Sequence, residues 1–133
     1  MSNAFLRLGV AFSLIGMAMG YVMGATQDFA ASPVHAHVNL LGWASMFLYG
    51  LFYRAFPDAG VGRLAQAHLW LAVVGLVIFM PALAIELLVR DPGLAQVGAI
   101  GLIVGPTLVM LGAIIFAVIV FRATGRGAKI VAG

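Results

Sequence analysis

Two histidines, His35 and His37, stand two residues apart near the start of a long apolar run, SPVHAHVNLLGWASMFLYGLFYRAF. Imidazole commonly binds transition metals and haem iron, and polar side chains within a membrane are costly and usually functional. Residues two apart on a helix point about 200° apart, so the pair is not expected to chelate one ion as an i, i+4 pair would. The two histidines therefore serve different neighbours: two haems on opposite sides of the helix, or one ligand histidine beside one hydrogen-bonding histidine.

Helical spacing divides this run into two faces. One face carries His35, Asn39, Gly42, Met46, Tyr49 and Tyr53, and the other carries His37, Leu41, Ala44, Leu48 and Leu51. The polar face should contact protein or a cofactor, because its groups would be unsatisfied in lipid. Gly42 removes a side chain beside this face and could let a flat macrocycle approach the backbone, and the Met46 thioether is a possible axial ligand. The alternative is that both histidines only cap the helix or lie at headgroup level.

The composition predicts an integral membrane protein. Of 133 residues, 64% are hydrophobic and 8% charged, with a mean hydropathy of +1.14. Four stretches are long enough to cross about 30 Å of hydrocarbon: residues 5–23, 34–56, 65–88 and 97–121. We predict an all-α fold, a single membrane domain over residues 1–133 that forms a four-transmembrane-helix bundle. Lipid gives little hydrophobic drive for packing so small a bundle, so we expect a homo-oligomer in the bilayer.

The basic residues predict the orientation. One side of the predicted membrane carries Arg7, Arg54, Arg63, Arg122, Arg126 and Lys129, whereas the other side carries only Arg90. By the positive-inside rule, both termini are cytoplasmic, as in a multi-pass protein of the bacterial inner membrane. The net charge of +3 then reflects topology and requires no nucleic-acid partner. In this orientation His35 and His37 lie near the outer surface of the membrane and His68 near the cytoplasmic surface, too far away to share a metal with them. Because His68 lies beside Trp70, we expect it to anchor at the interface or to form a hydrogen bond.

Two further features restrict the chemistry and the packing. The chain has no cysteine, which excludes disulfides, iron–sulfur clusters, thiolate-bound metals and covalently attached haem. Any metal must bind histidine, methionine, tyrosine or carboxylate. Gly16, Gly20 and Gly24 form a repeated G-x-x-x-G pattern, which predicts close helix contact within the protomer or between protomers.

The motifs around the histidine pair resemble a known family. The run HAHVNLLGW, preceded by MG and Asp28 and followed by LYGLFYRAFP and AHLWLAVVGLVIFMPAL, looks like the small four-helix membrane proteins related to subunit I of haem–copper oxidases and nitric oxide reductases. In the large oxidases an H-x-H pair ligates two haems, one per histidine, and His35-Ala36-His37 is similar in spacing and depth. The resemblance implies a cytochrome b-like protein that binds haem b for electron transfer or for O2 or NO binding. It also slightly favours a homotrimer, which would reproduce the three four-helix arcs of subunit I, over a dimer with bis-histidine haem at its interface.

The chain also departs from that family. It has three histidines in all, so one chain cannot supply the haem and copper ligands of an oxygen-reducing centre, and whether it is an enzyme stays open. The candidate cofactor-binding residues are His37, His35, Asn39, Gly42, Trp43 and Met46, with His37 slightly favoured over His35 as the metal ligand because apolar surroundings suit a porphyrin. The alternative is a haem-free protein that binds copper or zinc through His35 or His37 of several subunits, or a structural accessory subunit. The sequence identifies no redox partner.

Overall fold

The computed structural model describes the backbone of residues 1–131 and the side chains of residues 1–125. Within this part of the chain every regular element is a helix and no β-strand occurs, which confirms the predicted all-α class. The helices are α1 (Ser2–Thr26), α2, α3 (Arg63–Leu88) and α4 (Pro92–Val131). Helix α2 consists of three consecutive segments, the α-helical Ser32–His37, the π-helical Val38–Ser45 and the α-helical Met46–Ala55, and a 3₁₀ turn at Pro57–Gly60 precedes α3.

Three of these helices have the length and composition of membrane spans. They are α1, α3 and the 92–125 part of α4, with mean hydropathies of 1.7, 2.5 and 2.6. Their length and apolar character are compatible with a membrane protein. Each of the three segments of α2 is by itself too short for a span. The side chains of Arg126 and Lys129, which entered the charge comparison, lie outside the described side chains.

Glycines allow α1 to lie close along α2, and α3 along α4. A Cβ added at Gly16 would overlap the Asn39 carboxamide, and one added at Gly20 would lie 3.1 Å from Cε1 of His35. Gly24 has no such neighbour within 4 Å. The close contact predicted from the glycine repeat is therefore confirmed at two of its three positions, and it lies within the protomer.

The π-helical segment helps to keep one row of residues along α2 on its buried side. The buried positions are Val34, Val38, Gly42, Met46, Gly50 and Tyr53, most of them four residues apart. Residues four apart are rotated by about 40° on an α-helix of 3.6 residues per turn, so this row would drift around the helix. The i→i+5 bonding of a π-helix widens the turn and reduces the drift. In this segment the Ser45 hydroxyl also donates a 2.8 Å hydrogen bond to the carbonyl of Leu40, five residues earlier.

All four helices meet in an aromatic cluster around His68. It consists of Phe5 from α1, Tyr49 and Tyr53 from α2, His68 from α3 and Phe116 from α4. The ring centroid of His68 lies 4.9 Å from that of Phe5, 4.5 Å from that of Tyr49 and 5.0 Å from that of Phe116. Aromatic pairs at these separations are favourable beyond the area that they bury. The cluster therefore links the α1–α2 pair to the α3–α4 pair.

Candidate functional site

His37 is held by its own helix. Its Nδ1 lies 2.7 Å from the carbonyl oxygen of Pro33, one turn earlier. A carbonyl oxygen can only accept a hydrogen bond, so Nδ1 must carry the proton and donate it. In the neutral ring the lone pair is then on Nε2, the nitrogen that can bind a metal. The sequence around Pro33 therefore fixes the tautomer of His37.

A second contact orients the same ring. The His37 imidazole meets the Phe79 ring of α3 edge to face, with centroids 5.1 Å apart. The residue is half-buried, and the hydrogen bond that its ring forms with the described residues uses Nδ1, which leaves Nε2 available. Metal-ligating histidines usually donate their other ring N–H to a carbonyl or carboxylate in this way. Nε2 of His37 is therefore a nitrogen of the kind that binds a metal ion or haem iron.

His35 lies on the other side of α2, where α1 passes. Its ring faces the space left by Gly20. The Asn39 Nδ2 donates to the His35 carbonyl at 2.9 Å and lies 3.3 Å from each of the two ring nitrogens of His35. The Asn39 carboxamide in turn fills the space left by Gly16. His35 and Asn39 are therefore engaged with each other at the α1–α2 contact.

The remaining predicted site residues do not gather around His37. Gly42 is covered by Phe12 of α1, whose Cγ would lie 2.7 Å from a Cβ at this position. Met46 is only 2% exposed and belongs to the protein core. Trp43 is 46% exposed on the surface of α2. The structure thus uses Gly42 for close helix contact, with the ring of Phe12 in the space that the sequence suggested for a macrocycle.

The described side chains form no complete metal site. No group of three or more histidine or carboxylate residues in this part of the chain is arranged to hold a metal ion. Structural and catalytic metal sites usually take at least three protein ligands. A copper or zinc site built on His37 would therefore need ligands from further chains.

Sequence reasoning only partly anticipated the environment of His68. Its side chain is fully buried, and its Nδ1 lies 2.8 Å from the Tyr53 hydroxyl. Nε2 of the same ring is buried without a hydrogen-bond partner in the described structure. Of the two roles expected for His68, the structure shows hydrogen bonding, and the side chain lies inside the bundle. The sequence did contain an indication that Tyr53 and His68 lie close together. Tyr53 is near the end of α2 and His68 near the start of α3, so the two residues flank the same loop and lie at a similar depth in the bundle.

The histidines therefore occupy two different environments. His35 and His37 lie in the first segment of α2, and His68 contacts the last segment of the same helix. Only His37 combines a fixed tautomer with a nitrogen that is free to bind a ligand. Comparisons of the chain with protein-family models, with curated proteins and with solved structures find no match. The function of this site is therefore inferred from the residues of the chain itself.

Proposed function

We propose that this protein is a haem b-binding membrane protein, similar to a minimal subunit I of the haem–copper oxidases, and that His37 is an axial ligand of the iron. One observation carries the proposal: the Nδ1–H of His37 is donated to the Pro33 carbonyl. This bond leaves Nε2 as the basic nitrogen and restrains the ring. The Phe79 contact adds a second restraint from α3.

His35 and Asn39 have a positioning role in this proposal. Both ring nitrogens of His35 lie within 3.3 Å of Asn39, and its ring faces Gly20 of α1. Binding iron through His35 would require the ring to leave this contact. The two histidines thus divide into a ligand, His37, and a residue that fixes the helix carrying it, His35.

The proposed arrangement in the membrane has four crossings. Helical residues run without a break from 32 to 55, which is more than the roughly 20 residues needed to span. Together with α1, α3 and α4 they would form a four-span bundle. The distribution of arginine and lysine supports cytoplasmic termini in a bacterial inner membrane. His37 would then lie near the outer surface.

The number of free ligands supports an oligomer. Each chain offers one histidine with an unengaged Nε2 of known tautomer, so bis-histidine coordination would need His37 of a second copy. Haem with two histidine ligands is a low-spin electron carrier, whereas haem with one histidine and an open position binds O2 or NO. A dimer would supply an axial pair, and a trimer would match the architecture of subunit I.

Replacing each histidine separately tests the proposal. We expect His37→Gly to lose most of its haem, measured as the pyridine haemochrome per chain of detergent-purified protein. Added imidazole should restore binding, because it can replace the missing ligand. His35→Gln is the matched control. Its carboxamide can still form a hydrogen bond with Asn39 and so preserve the positioning contact, and the variant should keep its haem. Full haem content in His37→Gly, or loss only in His35→Gln, would refute the assignment.

A structural accessory role is the second candidate. The observation that favours it is the packing of Phe12 over Gly42 and of Asn39 over Gly16, which fills the α1–α2 contact with protein side chains. In that case the purified protein would be colourless, and both variants would behave like the wild type. Copper or zinc at a fixed ratio per chain, without iron, would instead identify a haem-free metal site shared between subunits.

A further inference from the structure

An open groove lies at the end of the bundle that is remote from His37. The loop between α2 and α3 and the later part of α4 form its walls, and its volume is about 470 Å³. This is within the range of about 300–1,000 Å³ typical of sites for small molecules. Phe56, Val61, Leu64 and Ile119 contribute apolar surface to it. The groove is separate from the aromatic cluster and from the histidine pair.

Two side chains of opposite charge line this otherwise apolar groove. They are Asp58, in the loop, and Arg122, on α4. Both side chains are exposed and so are open to a ligand that carries both charges. The groove therefore offers an anion site and a cation site next to an apolar surface.

We propose that this groove binds a phospholipid with a phosphoethanolamine headgroup. The loop marks the point where α2 ends and α3 begins, which for helices of membrane-spanning length is the level of the lipid headgroups. The guanidinium of Arg122 suits the phosphate, which it can bind with two parallel N–H bonds. The ammonium of the headgroup carries N–H donors for the Asp58 carboxylate, and the acyl chains follow the apolar wall.

The charge pattern distinguishes this lipid from the other common classes. A phosphatidylglycerol headgroup carries only negative charge and would meet the Asp58 carboxylate unfavourably. A phosphatidylcholine headgroup is zwitterionic, but its quaternary ammonium has no N–H to donate. Of these three lipids, phosphatidylethanolamine is the one that satisfies both side chains.

Lipid competition on the full-length protein tests the proposal. Detergent-purified chain is mixed with equal amounts of phosphatidylethanolamine, phosphatidylcholine and phosphatidylglycerol of identical acyl chains, and retained lipids are counted by native mass spectrometry. Asp58 and Arg122 are exposed, and an exposed ion pair contributes at most about 1 kcal/mol. We therefore expect the wild type to prefer phosphatidylethanolamine about fivefold. Asp58→Asn should abolish this preference and bind phosphatidylglycerol at least as well. Arg122→Gln should lose both of these lipids.

Matched controls are available at the opposite end of the bundle. Asp91→Asn and Arg90→Gln change exposed residues of the loop between α3 and α4 and should leave the lipid preference unchanged. Asp58→Glu and Arg122→Lys keep the charges and should retain most of it, which separates a binding defect from misfolding. Equal retention of the three lipids by the wild type, or an unchanged preference in Asp58→Asn, would overturn the proposal. So would a change in oligomeric mass when the groove residues are replaced in lipid-free protein, because a second copy would then be the occupant.

Discussion

The bond between Tyr53 and His68 should contribute measurably to stability, because both partners are shielded from solvent. Tyr53 is 2% exposed and His68 0%, and their polar atoms are 2.8 Å apart. Tyr53→Phe removes the hydroxyl and leaves the imidazole without either hydrogen-bond partner. An unsatisfied buried polar group costs about 1–3 kcal/mol. We therefore expect the unfolding equilibrium constant to rise about 5- to 150-fold.

A double-mutant cycle isolates this contribution. His68→Leu should leave the Tyr53 hydroxyl unsatisfied, whereas the double variant removes both polar groups and loses mainly the aromatic contacts, about 0.5–1.5 kcal/mol each. The double variant should thus be less destabilised than the sum of the single variants, by about 1–3 kcal/mol. Equilibrium unfolding in mixed micelles, followed by tryptophan fluorescence, measures all four proteins.

Tyr21→Phe provides the control, because Tyr21 is 79% exposed and its replacement should change stability by less than about 0.5 kcal/mol. If Tyr53→Phe is no more destabilising than this control, the hydrogen bond makes no net contribution to stability, which would refute the prediction. Strict additivity in the cycle would contradict it equally.

Two further predictions concern the α1–α2 contact and the core. Gly16→Ala places a Cβ against the Asn39 carboxamide and should destabilise the protein by about 1–3 kcal/mol. Gly24 has no such neighbour within 4 Å, so Gly24→Ala should be neutral or should stabilise the protein by up to about 1 kcal/mol. Equal effects of the two substitutions in the same unfolding assay would contradict the packing. Met46→Leu conserves the volume of a core side chain, so it should lower the free energy of unfolding by less than about 1.5 kcal/mol. The absorption spectrum should not change, and a spectral shift would instead identify the Met46 thioether as a ligand.

The buried face of α2 was predictable from the sequence because helical geometry groups polar and small residues. Asn39, Met46 and Tyr53 were placed on one face by their spacing, and the structure buries Met46 and Tyr53 and half-buries Asn39. The close approach at Gly16 and Gly20 followed from the absence of side chains there. Local periodicity and residue size are sufficient for such predictions.

Other features depend on partners distant in the sequence. The π-helical segment at Val38–Ser45 accommodates buried positions four residues apart along α1, a requirement visible only once the two helices are paired. Phe12 over Gly42 is likewise a tertiary contact. Hydropathy alone could not distinguish a buried His68 from one at the membrane interface, since either fits near the start of an apolar helix. The four-span topology and the oligomeric state stay predictions.

The most direct test of the central claim is the absorption spectrum of the purified protein, oxidised and dithionite-reduced, after expression with ample haem. If His37 ligates haem b, the wild type will show a Soret band and its His37→Gly variant will lose it. Sharp reduced α and β bands would indicate bis-histidine iron, and a spectrum that shifts with carbon monoxide would indicate an open position. A colourless wild-type protein would contradict the proposal that this chain binds haem.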